Sequence, residues 1–152
     1  MLAWFIVGNG GFGKSSTIRA LSGVGRTKAM FGIRGALWNI DYTAGTAMTF
    51  VLPVGLQELP VDAQTFEAAV NRSGASHVVG ALRYYGANGL PDAASYIHYF
   101  IGRGWLVSYA TLGALPPLSS PGGMNIPTAG PRAAPPSANG IAAQLRSIWP
   151  FL

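Results

Sequence analysis

Cysteine is absent from this chain of 152 residues, which excludes disulfides and thiolate metal sites. Acidic residues are nearly as scarce. Asp41, Glu58, Asp62, Glu67 and Asp92 are the full set of five, against ten Lys and Arg, so any carboxylate chemistry must draw on them. Lys14 and Lys28 are the only lysines, and the basic residues are scattered singly, with no run that reads as a nucleic-acid patch. The formal charge of +5 thus reflects missing acids rather than abundant bases; it permits a nucleic-acid partner without showing one. No apolar segment reaches membrane-spanning length, and the start of the chain lacks the basic stretch of a signal peptide. The expectation is a cytoplasmic protein with no membrane span. Charged residues make up 10% of the chain and hydrophobic ones 49%, whereas about a quarter of a typical domain is charged. Such a chain needs efficient burial or partners that cover its surface.

What is present begins at the amino terminus. The apolar run Leu2-Ala3-Trp4-Phe5-Ile6-Val7 leads into Gly8-Asn9-Gly10-Gly11-Phe12-Gly13-Lys14-Ser15. A buried strand, a glycine-rich turn and a helix start are expected in that order. Glycines reach dihedrals that side chains forbid, so the turn can curl around an anion with its N–H groups inward. The helix that follows adds its positive end.

This spacing, G-x-x-x-x-G-K-[ST] after a strand and before a helix, resembles the Walker A motif of the P-loop NTPase superfamily. The resemblance covers the first strand, loop and helix start, and points to no narrower family. It implies a nucleoside triphosphate, taken as ATP, held by Gly8, Asn9, Gly10, Gly11, Phe12, Gly13, Lys14, Ser15 and Ser16. It further implies Lys14 at the β- and γ-phosphates and the Ser15 hydroxyl on Mg²⁺.

The rest of the chain alternates strand-like and helix-like segments. Ser16–Leu21 reads as a short helix, and Met30–Asp41 as two strand pieces bent near Gly32 and Gly35. Ala47–Leu56 reads as a strand in which Pro53 argues for an edge or strand-end position. Asp62 caps a helix through Asn71, with Gly74 ending it. His77–Arg83 is another buried strand, Pro91 starts a helix closed by Gly102 and Gly104, and Trp105–Leu112 is the last strand. The alternation indicates an α/β fold, a P-loop NTPase-like, mostly parallel sheet flanked by helices. Eight of the eleven prolines lie from Pro116 onward, and no acid follows Asp92. The expected division is therefore residues 1–112 as the nucleotide-binding domain and residues 113–152 as an irregular Pro/Gly-rich tail. The tail's apolar stripe, Ile141, Leu145, Ile148 and Trp149, is expected to dock on the sheet domain or to join subunits in an oligomer.

Phosphoryl chemistry needs groups beyond the loop. Asp62 and Asp92 stand where helix starts want an acid, and Glu67 reads as solvated. That leaves Asp41 and Glu58. Asp41 closes a strand-like run, where a carboxylate can bind metal or accept a substrate proton, as the resemblance to small P-loop kinases implies; the alternative is a turn-forming Asp. Glu58 also follows a strand and is a candidate general base. A Walker B element would place Asp where Gln57 stands, and Pro53 interrupts the run, so this chain departs from that pattern. Arg83 closes the next strand, a position resembling that of a sensor residue in ATPases with an additional central strand, where its guanidinium could contact a γ-phosphate; a structural ion pair is the other reading. No N-K-x-D-like guanine-reading sequence and no dinucleotide fingerprint occurs. The leading expectation is a Mg²⁺-dependent ATPase coupled to a nucleic-acid or protein partner. The alternatives are a small kinase using Asp41, and a nucleotide-binding assembly protein with little hydrolysis.

Overall fold

A computed structural model of the chain describes residues 1–126 and 135–151. Leu2–Gly8 forms β1, buried at every position after Leu2. A strand apolar on both faces must be covered on both, and the rest of the chain supplies that cover. Lys14–Ser22 forms helix α1. Lys28–Met30 (β2) and Ile33–Tyr42 (β3) make an antiparallel hairpin whose turn, Phe31-Gly32, has both residues at positive φ, 52° and 81°. Such a pair matches the twist of a tight hairpin. β3 in turn pairs antiparallel with β4 (Gly45–Gly55).

Helix α2 (Ala63–Ser73) starts where Asp62 accepts a hydrogen bond from the Thr65 amide at 2.7 Å, and ends at Gly74, φ 74°. β5 (His77–Arg83) lies parallel between β4 and β1. Helix α3 (Ala93–Gly102) is capped by Asp92, which accepts from the Ser95 amide at 2.9 Å. Pro91 therefore precedes the cap rather than opening the helix. β6 (Leu106–Leu112) pairs parallel with the other flank of β1, and β7 (Gly123–Ile126) lies parallel beyond it. The sheet order is β2-β3-β4-β5-β1-β6-β7. The fold is α/β with a mostly parallel sheet flanked by helices. None of the described helices is long and apolar enough to cross a membrane.

Each face of the sheet has its own core. α2 and α3 bring Phe66, Val70, Ile97 and Phe100 onto Phe5, Phe50 and Leu82. The Phe100 ring stacks on Trp105 at 4.6 Å and on Phe5 at 5.5 Å. Full burial of each such side chain contributes about 1.5–3 kcal/mol. On the opposite face, α1 supplies Ile18 and Leu21. Helix α4 (Pro135–Arg146) and the residues after it supply Ile141, Ala142, Leu145, Trp149 and Phe151.

Not every expectation holds. Residues 113–152 are not an irregular tail where they are described: β7 extends the sheet, α4 packs on α1, and the Thr43 amide donates to the Pro150 carbonyl at 2.9 Å. Leu112 therefore marks no packing boundary. The segment 127–134 lies outside the described residues. Pro53 takes the strand-end position rather than an edge: it lies two residues before the end of β4, an interior strand, where the β4–β5 register shifts between Leu52 and Gly55 and no ladder bond is asked of it. Glu67 is 8% exposed rather than solvated, accepting from the Tyr99 hydroxyl at 2.7 Å and Arg103 Nε at 2.9 Å. Those bonds hold its carboxyl below the usual range against the opposing effect of burial.

Candidate anion site at the carboxyl edge of the sheet

β1, β4 and β5 run parallel, so their carboxyl ends open on one edge, where ligands of α/β sheets bind. The turn after β1 reverses direction through Gly11 and Gly13, whose φ values of 79° and 85° suit glycine. Phe12 secures the turn. Its Cβ lies 3.4 Å from the place a Cβ on Gly8 would take, and its ring edge covers Gly113 so closely that a Cβ there would sit 2.5 Å from Cε1. α1 then begins without a side-chain cap and without an acid in its first turn. Its first amides and positive end are left for an external acceptor.

A cavity of about 580 Å³ opens here. Gly10, Gly11, Gly13, Lys14, Ser15 and Ser16 form one side, and Glu58 and Arg83 the other. Lys14 is 5% exposed, its Nζ donating to the Asn9 carbonyl at 2.9 Å and to Glu58 Oε1 at 3.4 Å. Burial pushes the Lys14 ammonium below the ordinary lysine range; Glu58 opposes that shift, and the neighbouring Arg83 cation adds to it. Arg83 Nε is buried with no hydrogen-bond partner. Two cations and one carboxylate thus line a polar cavity, and of the cations only Lys14 is paired with Glu58. A buried, unpartnered donor costs free energy unless an acceptor arrives, and the charge balance fits a bound anion.

The neighbouring segments are tied firmly. The Ser15 hydroxyl donates to the Pro53 carbonyl at 2.6 Å, joining α1 to the irregular end of β4. Gln57 is fully buried. Its Nε2 donates to the Arg83 carbonyl at 3.0 Å and the Pro91 carbonyl at 3.2 Å, while its Oε1 accepts from the Arg83 amide at 2.9 Å. Asn88 Nδ2 closes the clamp on the Gln57 carbonyl at 2.7 Å. The side chain at the expected Walker B aspartate position therefore fixes the Arg83 backbone instead of facing the cavity. Sequence reasoning missed Pro53, Gln57 and Asn88 as positioning residues, and Phe12 as the turn's anchor. For the clamp, the one local signal was an amide side chain at a strand end.

Asp41 must be corrected. It sits beside the β3–β4 turn, exposed, accepting from the Thr46 hydroxyl at 2.8 Å. β4 starts there and runs eleven residues to Gly55, so the amino edge of the sheet, roughly 30 Å from the cavity at strand rise, holds Asp41. It serves as the turn residue, and neither metal binding nor catalysis at the cavity is open to it. Of the expected site residues, the fold brings together Gly10, Gly11, Gly13, Lys14, Ser15, Ser16, Glu58 and Arg83, with Gly8, Asn9 and Phe12 shaping the turn behind them.

Among the described residues no three acids or histidines cluster as a metal cage. The oxygen donors at the cavity are the Ser15 and Ser16 hydroxyls and the Glu58 carboxylate. That set suits a hard cation which keeps several waters and takes its remaining ligands from phosphate. No protein-family model, curated protein or solved structure matches the chain.

Proposed function

We propose that this chain binds a nucleoside triphosphate, ATP in the first instance, with Mg²⁺, and hydrolyses it in a cycle coupled to a nucleic-acid or protein partner. The observation that carries the reading is the pairing of buried Lys14 with a glycine turn and an uncapped helix start, across one cavity from Arg83. This is the arrangement that the Walker A resemblance calls for. The turn amides receive the phosphate chain, and Lys14 and Arg83 neutralise its terminal oxygens. Ser15 would hold the Mg²⁺, which supplies charge neutralisation at the β- and γ-phosphates when bound. Glu58 accepts a proton from the attacking water as the water oxygen bonds to the γ-phosphorus. The bond from that phosphorus to the bridging oxygen breaks, and the products are ADP and inorganic phosphate.

The kinase alternative loses its support because Asp41, its acceptor-orienting acid, lies at the opposite edge. A second reading, nucleotide binding with slow hydrolysis in an assembly protein, is favoured by Gln57, whose amide is fully used in the clamp where a metal-binding aspartate was expected. One assay separates the readings. The protein is incubated with Mg²⁺ and γ-labelled ATP, with and without DNA, RNA or nucleosides. Free labelled phosphate, increased by a partner, supports hydrolysis. Bound but unreacted ATP supports the assembly reading, labelled acceptor restores the kinase, and the absence of nucleotide binding rejects all three.

A further inference from the structure

The outer edge of the sheet carries a second feature, remote from the triphosphate cavity. A groove of about 390 Å³ runs between the link after α1, the start of β2 and the middle of β3. Arg26 and Lys28 stand on one side, and Ala36, Leu37 and Trp38 on the other. The Trp38 indole is 55% exposed. Arg34 is exposed on the same hairpin, opposite Ala29. No acid occurs in the sequence between residues 1 and 40, and Asp41 is engaged by Thr46. Scattered along the sequence, these cations form no run; the fold brings Arg26 and Lys28 into one groove with an aromatic ring.

A lysine on an edge strand has an ordinary explanation, since charge there discourages pairing with other chains. That explains Lys28 but not a large indole left in water beside a groove, flanked by two cations with no ion pair among the described residues. Exposed aromatic faces beside cations are what unpaired nucleobases and their phosphates require: the ring stacks a base, and the cations follow the backbone. A duplex hides its base faces and cannot use such a ring. The groove volume lies within the range that holds one small ligand moiety. Trp38 pairs in register with Thr49 on β4, two strands from β1, so the groove and the triphosphate cavity do not overlap.

We infer that the β2–β3 edge is a single-stranded nucleic-acid site, in which Trp38 stacks a base and Arg26 and Lys28 hold the adjoining phosphates. The test is fluorescence anisotropy of the full chain with a labelled oligothymidylate of roughly twelve nucleotides, a length within single-strand site sizes, at stepped salt. Trp38→Ala is expected to weaken binding tenfold or more, by order of magnitude, and Trp38→Phe to retain most of it. Replacing Arg26 and Lys28 together by Ala should lower the log–log salt slope by about 1.4, the loss of two phosphate contacts. Both cations are exposed, so this pair tests the inference even where Trp38→Ala folds poorly. Lys14→Ala should leave oligonucleotide affinity unchanged, which keeps the outcome separate from that of the triphosphate site. No binding at low salt, or binding indifferent both to Trp38→Ala and to the double replacement of Arg26 and Lys28, overturns the inference. So does a loss confined to self-association or to binding of anionic vesicles, which would give the groove to a second copy or a membrane surface.

Discussion

Lys14 and Glu58 set the behaviour of the site at the scale of single residues. Glu58 is the one carboxylate at the cavity among the described residues, and it faces Lys14 at 3.4 Å. Glu58→Gln should therefore leave triphosphate binding intact or tighter, since a negative charge beside the phosphates is gone. Phosphate release should fall about 10²–10⁴-fold, the range for losing a general base. Quenched-flow single turnover with an equilibrium titration checks both, and unchanged turnover would remove Glu58 from the chemistry. Lys14 predicts a pH dependence. Its pKa is lowered by burial, so the folded chain releases this proton before the unfolded chain does. Its contribution to stability is therefore least favourable at neutral pH and rises through the alkaline window between the two values. Triphosphate affinity should move the other way, falling as pH rises through the lowered pKa while the ordinary lysine range is still above. Calorimetric titrations at stepped alkaline pH test this, and Lys14→Arg should shift the loss upward. Gly113 is a third case. At φ 91° and with Phe12 against its α-carbon, Gly113→Ala should cost about 1–3 kcal/mol of stability and displace the turn's anchor. Urea unfolding and a nucleotide titration should both register it; an unperturbed variant would show that Phe12 does not hold the turn.

Among the elements, legibility followed locality. β1, the glycine turn and the start of α1 were readable because an apolar run, glycines and a helix start are consecutive in sequence. α2 and β5 were readable for the same reason, with Asp62 and Gly74 marking one and an apolar run marking the other. Asp41 was misplaced because a strand's direction depends on its partner: β3 runs antiparallel to β4, so a carboxylate at its end emerges at the wrong edge. Pro53 marked the end of its strand correctly but not its place inside the sheet, because its tolerance there rests on a register shift against β5 that no local pattern records. β7 is four residues long, too short for periodicity to show amid prolines. α4 shows how far the expected division at Leu112 was from the packing. Arg146 donates to the Ala20 and Leu21 carbonyls at the end of α1, and Leu145 is fully buried. Leu145→Ala should destabilise the fold by about 2–5 kcal/mol. Truncation after Leu112, which also removes β7, should abolish cooperative unfolding. A truncated chain that melts and binds nucleotide like the full one would return the segment to the status of a tail.

Taken whole, the molecule is a sheet with two separate cores and a polar cavity at the carboxyl ends of its central strands. The scarcity of acids, plain in the sequence, becomes an electrostatic property of the fold: the cations of the cavity outnumber its single carboxylate. Strand order placed Glu58 and Arg83 beside the turn, as expected from successive strand ends, and the same order removed Asp41. The most direct test of the anion pocket is an isothermal titration of Lys14→Ala with the Mg²⁺ complex of ATP, beside the unmodified chain. Tight binding in the unmodified protein, reduced at least a hundredfold in the variant (about 2.7 kcal/mol at 25 °C), is the expected result. Equal affinity of the two proteins would contradict it, because triphosphate would then bind without the one ammonium group the cavity encloses.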